Sequence, residues 1–213
     1  MKIELKPRTD GGRLLVFEGT DGAGKTTMIR MTRDYLSERI GAENVLVTKQ
    51  PTEMSRRTKL FQKMMYCKKQ GEVDYRAVQL LTLSDRIQHG FEEIEPALAA
   101  GKTVICDRYV YTSVANMLAR GYRNETWFFE AAKHLAAPDA VFLAHVPPAL
   151  ALQRIKERPE EAARHLDEAL LRRVSAEFAA MSEENGFVLL DTSGDAEKAF
   201  ARVRRALGGE AVA

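Results

Sequence analysis

Five short runs of apolar residues punctuate the chain, at Arg13–Glu18, Asn44–Thr48, Thr103–Cys106, Ala140–Ala144 and Phe187–Leu190. Each is nearly continuous in its apolar character, the pattern of a strand buried on both faces of a sheet. Longer segments with apolar positions at helical spacing separate them: Thr27–Ile40, Arg57–Cys67, Val73–Leu98, Ser113–Leu118, Glu125–Ala136, Ala149–Lys156, Asp167–Glu184 and Ala196–Leu207. Strands alternating with helices predict an α/β fold, a parallel sheet flanked by helices on both faces. In such sheets ligands gather beyond the carboxyl ends of the strands. Three polar segments fall there: the glycine-rich loop after the first run, Lys49-Gln50-Pro51-Thr52-Glu53 after the second, and Asp107-Arg108-Tyr109 after the third.

The first of these carries the chemistry. Residues 19–26 read GTDGAGKT, a complete G-x-x-x-x-G-K-[ST] phosphate loop between a predicted strand and a predicted helix. Gly19, Gly22 and Gly24 let the backbone curl so that several N–H groups face an anion, and the positive end of the next helix adds to the field. Lys25 can reach the β- and γ-phosphates of a nucleotide, and the Thr26 hydroxyl can ligate Mg²⁺. Asp21, Ala23 and Thr27 complete the candidate ATP-binding segment. The rival reading is a glycine-rich turn that binds nothing.

Composition narrows the classes. The chain has 213 residues, enough for a single domain with a substantial core, and a net charge of +2 that favours neither nucleic acid nor a membrane surface. The N-terminal stretch lacks the apolar centre of a signal peptide, and the longest apolar run, Ala140 to Leu152, is broken by His145, Pro147 and Pro148. Cys67 and Cys106 are the only cysteines and sit in unlike contexts, so a reducing cytoplasm is expected. The four histidines show no metal-ligand spacing.

Further charged residues cluster at the predicted strand ends. Asp107 closes an apolar run and is a candidate for Mg²⁺ or its waters; capping the following helix is the alternative. Arg108 could grip a second phosphate, with Arg86 and Lys49 around the same anion, although a solvated helix face and an exposed loop lysine are equally open readings. Arg154, Lys156 and Arg158 form a spaced basic group, read as an arginine-bearing lid near residues 154–166 or as a charged helix end.

Taken in order, these segments resemble the thymidylate kinase family of nucleoside monophosphate kinases. FEGTDGAGKTT is similar to that family's phosphate loop, LLTLSDRIQH (Leu80 to His89) to its L-L-F-A-A-x-R helix, and PALAAGKTVICDRYVYTSVA (Pro96 to Ala115) to the stretch leading into its D-R-Y motif. PDAVFLAHVPP, an arginine-bearing lid and LLRRVSAEF follow in the family's order. The resemblance implies the P-loop NTPase fold with a five-stranded parallel core, in-line transfer from ATP to dTMP, and a homodimer. It implies that Lys25 and Thr26 serve ATP and Mg²⁺, that Asp107 organises the metal, and that Arg154 and Arg158 act from the lid. The acceptor side would comprise Asp21, Lys49, Thr82, Arg86, Arg108, Ser113, Asn116 and Met117.

The departures are local. The family's acceptor helix carries a phenylalanine that stacks on thymine, and Thr82 stands there; the family's A-Y-Q-G-like segment reads Ala115-Asn116-Met117-Leu118; its R-E-P-type turn reads Lys49-Gln50-Pro51. The phosphate-handling residues match and the base-handling ones do not. Phe61 or Tyr66 could supply a ring from another element. A kinase acting on another nucleotide or phosphorylated metabolite, and a non-catalytic nucleotide-binding regulator, remain the alternatives.

Overall fold

The structure is a computed structural model that describes residues 2–67, 71–159 and 166–208. Five strands, β1 (Arg13–Glu18), β2 (Val45–Lys49), β3 (Thr103–Asp107), β4 (Ala140–His145) and β5 (Val188–Asp191), form one sheet in the order β2-β3-β1-β4-β5. All four pairings are parallel, as the apolar runs predict. The order runs outward from β1 in both directions, so the crevice beyond its carboxyl end is the switch point where such sheets bind ligands. Asp107 is in register with both Phe17 and Lys49, which brings three strand ends level at that crevice.

Alternate residues of β1 feed opposite faces. Leu14 and Val16 pack with Val104 and Cys106 against α4 (Tyr75–His89), α6 (Val110–Ala119) and α9 (Glu168–Asn185). Leu15 and Phe17 pack with Ile105, Phe142 and Leu190 against α1 (Lys25–Ile40) and α10 (Ala196–Ala206). Fully buried strands of this kind anchor the loops at their ends.

One predicted helix starts later than expected, and another divides. The segment expected as a helix over Arg57–Cys67 is α3 (Lys59–Tyr66), and a further short helix, α2 (Glu53–Arg56), precedes it. Thr58 separates them because its hydroxyl accepts from the Phe61 N–H and starts a new helix. The segment expected over Val73–Leu98 is α4, a π-turn at Gly90–Ile94, and α5 (Glu95–Ala99). Gly90 is a poor helix former and Pro96 has no N–H for a helical bond, so the backbone widens between them. The remaining helices are α7 (Thr126–Ala132) and α8 (Pro148–Lys156). Among the described residues no helix is long and apolar enough to cross a membrane.

Candidate active site

The phosphate loop links β1 to α1. Gly19 and Gly22 have φ of 133° and 76°, and a Cβ at either would lie 2.3 Å and 2.4 Å from the carbonyl oxygens of Ala144 and Ala151. Only glycine fits this path. Ala23 is buried among Ala144, Val146 and Ala151, and Gly24 caps α1. The first turn of α1 carries no acidic residue, so the positive end of the helix dipole is uncompensated where a phosphate would sit.

Lys25 is buried, and its Nζ donates to the carbonyls of Gly19 (2.9 Å) and Thr20 (2.7 Å). Burial, reinforced by the charge of Arg108, pulls its pKa down to about 7. Thr26 is exposed beside it, while Thr27 turns away from the cavity wall. Thr192, beyond β5, straps the loop: its hydroxyl donates to the Ala23 carbonyl at 2.6 Å. Arg154 on α8 donates to the carbonyls of Thr192 (3.0 Å) and Gly22 (3.4 Å), so it lies against the loop itself.

The turn after β3 is held from β1. Buried Glu18 accepts from the N–H groups of Tyr109 (2.8 Å) and Thr112 (3.0 Å) and from the Thr112 hydroxyl. Burial raises its pKa, and these donors oppose the rise. Glu18 therefore does the local N–H work that the sequence offered as an alternative role for Asp107. Arg108 has φ 69°, outside the usual range for a side-chain-bearing residue. From there its guanidinium pairs with Asp21 and donates to the Gly19 carbonyl and the Thr112 hydroxyl, both at 3.1 Å. Asp107 pairs through Oδ2 with Lys49 at 3.4 Å, and its buried Oδ1 has no partner. An orphan carboxylate oxygen and the Thr26 hydroxyl are the hard oxygen donors that Mg²⁺ takes. Among the described residues no group of three His, Cys, Asp or Glu could hold a metal alone, so phosphate oxygens would have to complete such a site.

These groups open into one cavity of about 550 Å³, within the range of small-molecule sites. The donor end is lined by Gly22, Gly24, Lys25, Thr26 and Arg158. The other end is lined from α4 by Tyr75, Gln79, Thr82 and Arg86, from α6 and its C-cap by Ser113, Asn116 and Arg120, and from α3 by Phe61 and Met64. Arg86 is 1% exposed, its Nη1 donates to the Thr82 carbonyl at 3.1 Å, and its Nε has no partner. A charge held so deep, with a free donor, is poised for an anion.

Met117, expected beside the acceptor, is 1% exposed within the core: one step along α6 from Asn116 rotates it by about 100°, away from the cavity. The segment expected as a lid, near 154–166, includes residues 160–165, which lie outside the described residues. Phe61 lines the same cavity as Thr82, whereas Tyr66 does not line it. Sequence reasoning missed Arg56 on α2, which also lines the cavity; burial and the charge of Arg108 lower its pKa, and its Nε donates to the Pro51 carbonyl at 2.7 Å. It also missed Asp85, whose carboxylate accepts from the N–H and hydroxyl of Thr52, both at 2.6 Å, and fixes the turn after β2 onto α4. The only sequence signal for either was adjacency to segments already suspected.

Comparison with known proteins agrees with this geometry. A family model described as thymidylate kinase matches residues 17–203. The chain is 37% identical over 199 residues to a thymidylate kinase of Xanthomonas campestris (strain B100), covering 92% of this chain and 82% of that one. It is 37% identical over 150 residues to a probable thymidylate kinase of Pyrococcus horikoshii, covering 69% and 71%. A solved structure of thymidylate kinase from Ehrlichia chaffeensis superposes with a TM-score of 0.68 at 23% identity, over 92% of this chain and 99% of that one, a likeness of fold.

Proposed function

The chain belongs to the thymidylate kinase family, and from that premise we propose that it transfers the γ-phosphoryl group of ATP to dTMP, giving ADP and dTDP. The observation that carries this reading is the meeting, in one cavity, of a phosphate loop with a second set of cations, Arg56, Arg86 and Arg108. One anion-binding element would serve a nucleotide alone; two facing elements serve a donor and an acceptor that both carry phosphate.

The reaction needs no covalent protein nucleophile. An oxygen of the acceptor phosphate attacks the γ-phosphorus in line as the bond to the ADP oxygen breaks. Lys25 leaves the carbonyls of Gly19 and Thr20 for the β/γ-phosphates, and Arg154 and Arg158 add positive charge from the donor side. Arg86, Arg108 and Arg56 hold the acceptor phosphate and offset the repulsion between two anions. Lys49 keeps Asp107 in place, and Thr26 and Asp107 are the residues that would hold Mg²⁺. When bound, that cation would neutralise charge on the transferring phosphates.

A homodimer fits the surface of α4 and the π-turn that continues it, where Leu80 and Phe91 are 57% and 71% exposed at helical spacing with Ile87. The two free cysteines fit a reducing, cytoplasmic setting. A coupled ADP-release assay over dTMP, dUMP, CMP and AMP tests the reading. Turnover with dTMP and Mg²⁺, and none with thymidine, is expected. Robust phosphorylation of thymidine overturns the acceptor-phosphate assignment, and turnover of a different monophosphate alone overturns dTMP.

A further inference from the structure

Within that dTMP-kinase reading, the end of the cavity remote from the phosphate loop holds a buried polar group that the phosphate chemistry leaves unused. Gln79 lies one helical turn before Thr82 on α4, lines the cavity, and is 2% exposed. The same end holds Tyr75, whose ring is covered by the guanidinium of Arg120 at 4.2 Å. Arg120 is fixed in turn by the side chain of Asn116 at 2.7 Å. The side-chain Oε1 of Gln79 is buried with no partner. A buried orphan acceptor is costly and calls for a donor.

Thr82 explains how such a donor could arrive. Side chains on a helix lean toward its N-terminus, so a large residue at 82 would lie over the turn that carries Gln79. A threonine leaves that turn uncovered; its own hydroxyl folds back onto the Gln79 carbonyl at 3.4 Å. The terminal torsion of a glutamine is broad, so a small turn brings Oε1 to a base in the cavity. A thymine ring offers an imide N–H on its pairing edge.

We propose that Gln79 is a specificity-determining residue that accepts a hydrogen bond from the imide N–H of the acceptor base, a polar contact in the region where the resemblance implies a stacked ring. The test compares wild type with Gln79→Met, which keeps length and loses the amide, on dTMP and on its N3-methyl analogue. The expected result is about a tenfold fall in kcat/KM for dTMP, mostly in KM, and little change for the analogue, which has no N–H to lose. The KM for ATP and the melting temperature report any loss that is merely structural. An equal loss on both nucleotides, or no loss on dTMP, overturns the proposal. Absence of dTMP turnover in wild type defeats the dTMP reading separately. The same pair of enzymes is then compared on the monophosphate that wild type does use and on that nucleotide methylated at its ring or amino N–H. A uniform loss, or turnover of no monophosphate at all, overturns the role of Gln79.

Discussion

The guanidinium of Arg108 pairs with the carboxylate of Asp21 across the mouth of the phosphate loop, from a backbone held at φ 69°. The two residues belong to loops at the ends of different strands, and their pairing joins the donor side of the cavity to the acceptor side. A left-handed conformation costs a side-chain-bearing residue roughly 1–2 kcal/mol. Glycine escapes that cost, and alanine does not.

Backbone and side chain can therefore be separated at this position. Arg108→Gly and Arg108→Ala both remove the guanidinium, and both should lose roughly 100–1000-fold in kcat/KM, the worth of a contact aimed at developing charge. Arg108→Gly should nevertheless be about 1 kcal/mol more stable than Arg108→Ala. Denaturant melts of the two variants check this. Equal stability would show that the turn relaxes to an ordinary φ once the side chain is gone.

Lys25 makes a prediction about protons. Burial holds its pKa near 7 in the free protein, so at about pH 8 it is mostly neutral. Phosphates raise the pKa of a neighbouring amine, so binding ATP at that pH takes up roughly one proton. At about pH 6 the lysine is already charged and its share of the uptake disappears. Titration calorimetry in buffers of differing ionisation enthalpy reads this directly. Lys25→Arg, charged throughout, should abolish the uptake at the higher pH, and a buffer-independent enthalpy in wild type would contradict it.

The contrast between Lys25 and Arg56 shows what a linear reading can reach. The strands, the parallel order and the phosphate loop were legible because they depend on local patterns: apolar runs, helical spacing, and glycines where a Cβ would strike Ala144 or Ala151. Lys25 came with its motif. Arg56, Asp85 and Thr192 carry no motif, and their roles arise from folding one strand-end loop against another. The late start of α3 depended on a single capping threonine inside a helical pattern, and the π-turn on Gly90 and Pro96, signals that periodicity averages away. Met117 follows a simpler rule: helical geometry sends it and Asn116, adjacent in sequence, to different faces.

Asp107 offers a test between charge and shape. Its Oδ1 has no partner, Lys49 lies 3.4 Å from Oδ2, and the nearby N–H groups are taken by Glu18. Asp107→Asn keeps the size and removes the charge that would order a divalent cation. Activity should fall by at least about tenfold at low Mg²⁺ and recover partly as Mg²⁺ is raised, because a weakened site fills by mass action. Near-normal activity across the whole titration would assign Asp107 to holding Lys49 alone.

Gln79 and Thr82 should be coupled, and the sign of the coupling is fixed by the direction of helical side chains. Thr82→Phe supplies a ring for the base, worth about 0.5–1.5 kcal/mol beyond burial, and at the same time covers the turn that carries Gln79. Gain and loss are of similar size, so dTMP turnover in this variant should stay within a few-fold of wild type. The double variant is more informative. If the phenylalanine shields the amide, adding Gln79→Met on that background should cost less than about twofold, against about tenfold in wild type. Residues in contact depart from additivity in this way, while independent ones do not. A full tenfold loss in both backgrounds would mean that the amide meets the base by a route that does not pass Thr82.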